Sequence, residues 1–159
     1  MSRIFLILLI ILSLTGFNKS SQDELIRLKT SVNPKVIRQG QEGELSIKII
    51  PTEGIRISSN PDIRINFNKN ENIQFSKVFF TGAELDYNTI QEDNFIFYKF
   101  DEEEKSIRFK VKDTSLTGKQ RLNGEVIFTA IFKDKWSVKT FQKFSAGFTS
   151  RKSKNLKKR

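Results

Sequence analysis

Residues 121–148, RLNGEVIFTAIFKDKWSVKTFQKFSAGF, constrain this chain more than any other stretch. They read as two long strands joined by a tight turn at Lys133-Asp134-Lys135. The first strand, 125–132, is apolar on both sides, with Val126, Phe128, Ala130 and Phe132 on one and Ile127 and Ile131 on the other. That run predicts a central strand covered on both faces, since a half-solvated strand would alternate with polar residues. The second strand, 136–148, puts Trp136, Val138, Phe144, Ala146 and Phe148 on one face. Its other face carries Ser137, Lys139, Lys143 and Ser145, interrupted by Phe141. A long hairpin with one wet side needs a second layer over its dry side.

The rest of the chain supplies that layer as strands, because no segment longer than a few residues shows a helical period. Residues 44–50 alternate Leu45, Ile47 and Ile49 against Ser46 and Lys48, and 62–68 repeat the pattern with Ile63, Ile65 and Phe67. The cleanest alternation is at 106–112, where Ile107, Phe109 and Val111 oppose Arg108 and Lys110. Shorter strands are expected at 23–30, 34–38, 55–57, 73–80 and 94–100, with turns at 39–43, 51–54, 58–61 and 101–105. Residues 81–93, polar and without period, form the longest expected loop. Fifteen Phe against one Trp and two Tyr suit strand surfaces. Nine or ten short strands at roughly ten-residue spacing predict an all-β chain folded as one immunoglobulin-like β-sandwich over 24–148. No internal repeat or second domain is visible.

Both ends differ in character from this body. Arg3 precedes an unbroken apolar run, IFLILLIIL, and small residues follow, so 1–20 read as an export signal peptide. The run falls short of the roughly 20 residues that span a bilayer, so cleavage is favoured over an uncleaved signal anchor. Phe17 stands where a lipoprotein signal would need the Cys that receives the lipid. Periplasmic or extracellular placement is the expectation. At the other end, 149–159 read as a basic, disordered tail. Its charges, Arg151, Lys152, Lys154, Lys157, Lys158 and Arg159, supply most of the formal net charge of +10 and leave the body nearly balanced.

Absences bound the chemistry. The chain has no Cys and no His. No disulfide can hold an exported domain together here, and thiol redox, imidazole catalysis and the usual zinc or haem ligation have no residues to use. The acids 101–104 sit consecutively on a turn and lack the alternating ligand spacing and Gly of a calcium loop. No carboxylate pair is placed as in glycoside hydrolases, and no glycine-rich phosphate loop occurs. The expectation is a protein that is not an enzyme, with no cofactor and no metal.

Two stretches carry a resemblance. Gly124-Glu125-Val126-Ile127-Phe128-Thr129-Ala130-Ile131 resembles a strand of the type Gly-x-Leu-x-Tyr-x-Ala-Cys, with five residues between Ile131 and Ser137, which stands at the place of a second Cys. Residues 54–61, GIRISSNP, are similar to a stretch Gly-x-His-Ile-Asn-x-Asn-Pro. Both belong to the amino-terminal immunoglobulin-like domain of the DsbD thiol:disulfide interchange proteins. The resemblance covers roughly 30–148. It implies an exported sandwich whose two thiols would relay electrons from a membrane partner to envelope proteins. Here those thiols are replaced by Ile131 and Ser137, so it implies a redox-inactive member that keeps the fold. It also places 81–93 about where the family has a lid over its thiols.

Candidate binding residues follow. Glu84, Asp86 and Tyr87 sit in the long loop, where a solvated connection is an equally good account. Phe132 and Trp136 flank the hairpin turn. Alternation with Val138 assigns Trp136 to the dry face, which favours core packing over a binding anchor. Ser137 has no base beside it in the sequence to make it a nucleophile. The leading function is therefore a non-catalytic domain that binds or scaffolds another envelope protein. An accessory role in thiol-disulfide exchange or cytochrome assembly is second. Third is attachment to anionic polymer or lipid through the tail, where each cation contributes at most about 1 kcal/mol. Nucleic acid is the least favoured partner, since no aromatic residue is interleaved with the tail charges to stack on bases.

Overall fold

A computed structural model describes residues 24–101, 104–134 and 136–154; the signal segment at 1–20 and the charges Lys157, Lys158 and Arg159 lie outside them. The described chain is all-β and packs two sheets face to face. One sheet runs, in spatial order, β1 (Ile26–Asn33), β3 (Glu42–Pro51), β10 (Lys105–Val111) and β6 (Ile73–Phe75). The other runs β2 (Val36–Arg38), β12 (Ser137–Arg151), β11 (Gly118–Ile131), β5 (Arg64–Phe67) and β7 (Phe79–Thr81). β4 (Arg56–Ile57) pairs with β11 beyond the end of β5. β8 (Thr89–Glu92) and β9 (Phe95–Tyr98) form a separate hairpin. The runs β1-β3-β10-β6 and β12-β11-β5 match the two-sheet strand order of immunoglobulin-like sandwiches.

Period-two side chains become the core. Leu45, Ile47, Ile107 and Phe109 from the first sheet meet Ile65, Val126, Phe128 and Phe148 from the second, all nearly inaccessible to solvent. Rings interlock across the layer, as in the 5.5 Å approach of Phe109 to Phe148 and the edge-on contact of Phe67 with Phe144. The core closes without a disulfide.

The strands number twelve among the described residues rather than nine or ten, for local reasons. The stretch expected as one strand at 73–80 crosses between sheets, giving β6 and β7 with an exposed Val78 between them. The expected loop at 81–93 contains β8, whose four side chains are all exposed and so present no alternation to read. The hairpin extends further at its base than expected, because the outward residues Lys119, Arg121 and Asn123 hide β11's pairing from an apolar count.

Three expectations are corrected. β11 is covered only in part on its second face: Val126, Phe128 and Ala130 face the core, while on the other face Ile131 is buried and Ile127 and Thr129 are half-buried. Trp136 is not a core residue, being 52% exposed. Its parity does point it inward, but at the hairpin tip the described residues around it leave about half of its surface open. The chain also remains folded past 148. Thr149–Arg151 continue β12 and pair in parallel with β2, and the hydroxyl of buried Ser150 lies 3.3 Å from that of Ser115. Arg151 is thus a strand residue, and the Lys152 carbonyl accepts a hydrogen bond from Arg38.

Candidate functional site

The β11–β12 pairing runs without a bulge from Gly118 opposite Ser150 to Ile131 opposite Ser137. Backbone bonds fix which residues face which neighbour. The Phe132 N–H donates to the Trp136 carbonyl at 3.1 Å across the turn, while the Thr129 and Asn123 carbonyls accept from Ser58 and Asn68 on the other side of β11. Even-numbered residues of β11 therefore bond to β12, and odd-numbered ones bond away from it. Ile131 and Ser137 form a pair without direct backbone bonds, the arrangement in which facing Cα atoms stand about 4.5 Å apart.

Other segments converge on this tip. Gly54 takes φ 81° at the third position of a turn closed by the Ile55 N–H on the Thr52 carbonyl, a conformation that favours glycine. The turn delivers β4 to the side of β11, with Arg56 opposite Ile131 and Ile57 opposite Ala130. Over β4 folds the β8–β9 hairpin. Ser58 bridges to Phe97, and the Ser59 N–H and hydroxyl both donate to the Ile96 carbonyl, at 2.9 and 3.0 Å. Arg56 pairs with Glu92 and lies 5.1 Å over the Phe97 ring. The two quoted stretches, 54–61 and the hairpin, thus meet under a third element. Between them lies a cleft of about 260 Å³, lined by Arg56, Glu92, Phe95, Phe97, Ile131 and Lys133. Ile131 is 6% exposed and Ser137 is exposed.

The base of the β8–β9 hairpin is anchored by polar bonds. The Tyr98 hydroxyl donates to the Asp62 carboxylate, which also accepts from the Gly82 N–H at 3.1 Å and the Ala83 N–H at 3.4 Å. Burial first, then the hydrogen bond to Asp62 and lastly that carboxylate's charge, push the Tyr98 phenol well above its ordinary range. Gly82 is required by crowding: a Cβ there would stand 2.5 Å from the Tyr98 ring and 2.9 Å from Asp62.

The structure does not bring Glu84, Asp86 and Tyr87 to the cleft. Glu84 caps the turn, accepting from the Thr81 N–H at 3.0 Å and pairing with Lys77, whose hydrogen bond holds the carboxyl below its usual range. Asp86 occupies φ 53°, and its carbonyl accepts from Lys105. Tyr87 is buried against Tyr98 and Phe100, with its hydroxyl unpartnered among the described residues, and burial raises its pKa strongly. Phe132 and Trp136 do come together, stacked at 3.8 Å with planes 5° apart, and Phe132 also lines the cleft, whereas Trp136 does not. They line a groove of about 460 Å³ with Leu25, Phe128, Val138 and Thr140. Arg56, Glu92, Phe95 and Phe97 were not singled out in the sequence. For Phe95 and Phe97 the signal lay in 94–100, which holds more aromatic residues than one buried strand face can absorb.

No protein-family model matches this chain, and no curated protein matches it. Among solved structures it is similar to BcpA, the major pilin subunit of Bacillus cereus, in its D312A form, at TM-score 0.40 and 10% identity over 80% of this chain. It spans 40% of the length of that pilin subunit. It is also similar to murine CRIg, at TM-score 0.33 and 12% identity, covering 79% of this chain and 98% of that one.

Proposed function

We propose that this chain is an exported, non-catalytic binding domain that docks another envelope protein at the tip of its β11–β12 hairpin. In this reading it is a redox-inactive relative of the DsbD amino-terminal domain. The observation that carries the reading is the direct pairing of Ile131 with Ser137. Two positions separated by five residues fall on facing backbone sites, beside β4 and beneath the β8–β9 hairpin. An aliphatic side chain and a hydroxyl now occupy them, and the chain holds no thiol or imidazole with which to replace a lost redox pair. What remains there is a cleft of mixed character, with the guanidinium of Arg56, the carboxylate of Glu92 and the rings of Phe95 and Phe97. Such a cleft suits recognition rather than bond-breaking.

The test is in-cell photo-crosslinking with a photoreactive residue placed at Phe95, compared with one at Arg27 on the far sheet. A discrete protein adduct from Phe95 alone is expected, weakened by Arg56→Glu. Equal adducts from both positions, or measurable disulfide reduction by the purified domain, would overturn the reading.

A further inference from the structure

β12 has a second, open side. Its odd-numbered residues direct their N–H and C=O groups away from β11. That edge is closed in stages toward the carboxyl end. Thr149 donates its N–H to the Lys35 carbonyl, Arg151 accepts from Gln39, and the Thr30 hydroxyl donates to the Ser145 carbonyl at 3.3 Å. From Ser137 to Lys143, no strand among the described residues pairs with it. Ser137, Lys139, Phe141 and Lys143 are all exposed.

The two sides of this open edge differ chemically. On the outer face, Lys139 and Lys143 bracket Phe141, which is 53% exposed, and neither lysine has an ion-pair partner among the described residues. Cations outnumber acids on that face: Arg64, Lys119 and Arg121 accompany the two lysines, against Glu125. On the inner side lies the groove of Leu25, Phe132, Trp136, Val138 and Thr140, with Leu25, just before β1, bordering it from the opposite sheet. We propose that the Ser137–Lys143 edge of β12 receives an extended segment of a partner protein as an added strand, one that alternates acidic and apolar residues. Its backbone completes the ladder, its acids meet Lys139 and Lys143 across the strand pair, and its apolar residues enter the groove beside Trp136.

The same lysines select against a second copy of this chain. Two β12 edges paired antiparallel about Phe141 would set Lys139 opposite the copy's Lys143, and like charges in facing positions destabilise a strand pair. The proposal requires neither the cleft under β8–β9 nor any kinship with redox proteins, so it can stand or fall separately from the reading of the tip.

The test uses the full chain and a peptide of about seven residues alternating glutamate and valine, matched to the strand length of the open edge. A second peptide replaces each glutamate with lysine. Trp136 is the single tryptophan and reports groove occupancy by fluorescence. The glutamate peptide is expected to shift that emission and to slow hydrogen exchange at the Lys139, Phe141 and Lys143 amides. The lysine peptide is expected to bind at least about tenfold more weakly. Joint Lys139→Glu and Lys143→Glu substitution should invert the preference. Phe141→Pro removes one edge N–H without breaking a bond to β11, and it should abolish protection, while Phe141→Ala should retain most of it. Arg56→Glu should leave peptide binding unchanged. Equal binding of the two peptides, protection elsewhere than the edge, unaltered binding by the Phe141→Pro chain, or edge protection from concentration-dependent self-association would each overturn the proposal.

Discussion

Tyr98 donates its hydroxyl to Asp62, and that one bond ties the root of the β8–β9 hairpin to the start of β5. The hairpin's own strands are short and mostly exposed, so its position over the tip depends on this anchor and on the Ser58–Phe97 bridge. Removing the hydroxyl by Tyr98→Phe leaves a carboxylate short of a donor and should cost about 1.5–3 kcal/mol. Denaturant unfolding measures that loss, and hydrogen exchange should show faster opening at 95–98. Gly82→Ala acts on the same joint by crowding and should destabilise by about 1–3 kcal/mol.

Alkaline titration gives an independent check. Tyr87 and Tyr98 are the chain's two tyrosines, and both phenols are raised in the folded state, chiefly by burial. An acid whose folded pKa exceeds its unfolded value of about 10 contributes stability below that pH and loses it above, because the unfolded chain ionises first. Stability should therefore be insensitive to tyrosine ionisation near neutrality and fall as pH rises past about 10. Tyrosinate absorbance should appear together with unfolding. A gradual rise near the ordinary phenol value with the fold intact would contradict the burial of both rings.

Trp136 and Phe128 should separate in mutational cost, although parity places both on the inward face. Phe128 lies within the sandwich at 3% exposure, and Phe128→Ala should cost about 3–5 kcal/mol. Trp136 is 52% exposed, and Trp136→Ala should cost under about 1 kcal/mol. Its fluorescence should be accessible to soluble quenchers, whereas core packing would shield it.

Arg56 and Glu92 join the cleft's two walls, but both side chains are about half exposed. Arg56→Ala should therefore change global stability by no more than about 1 kcal/mol. Its effect should appear as faster local exchange in β8, measured by hydrogen exchange, without a shift in the unfolding midpoint.

Much of the sandwich was legible because half-buried strands such as 44–50 and 106–112 write their pairing as alternation. The break after Phe132 followed from the same pattern, whereas Ile131 and Ser137 were singled out by the resemblance alone, and no alternation marks them as facing residues. Parity, however, reports which way a side chain points and not whether another layer lies there, which is why Trp136 was misplaced. β8 was invisible because Thr89, Ile90, Gln91 and Glu92 are all exposed and share no buried face. Arg56 and Glu92 meet across 36 residues through β4 and β8, and no local signal marks such a pair.

The proposed correspondence of these two positions to a thiol pair is tested most directly by Ile131→Cys combined with Ser137→Cys, in a chain with no other cysteine. Facing residues without backbone bonds between them lie about 4.5 Å apart, within the roughly 4.4–6.8 Å Cα separation of protein disulfides. Under mild oxidation, mass spectrometry of the monomer should show an internal disulfide formed nearly quantitatively. Two thiols that stay reduced, or that link only between molecules, would contradict the placement of these residues and the kinship inferred from it.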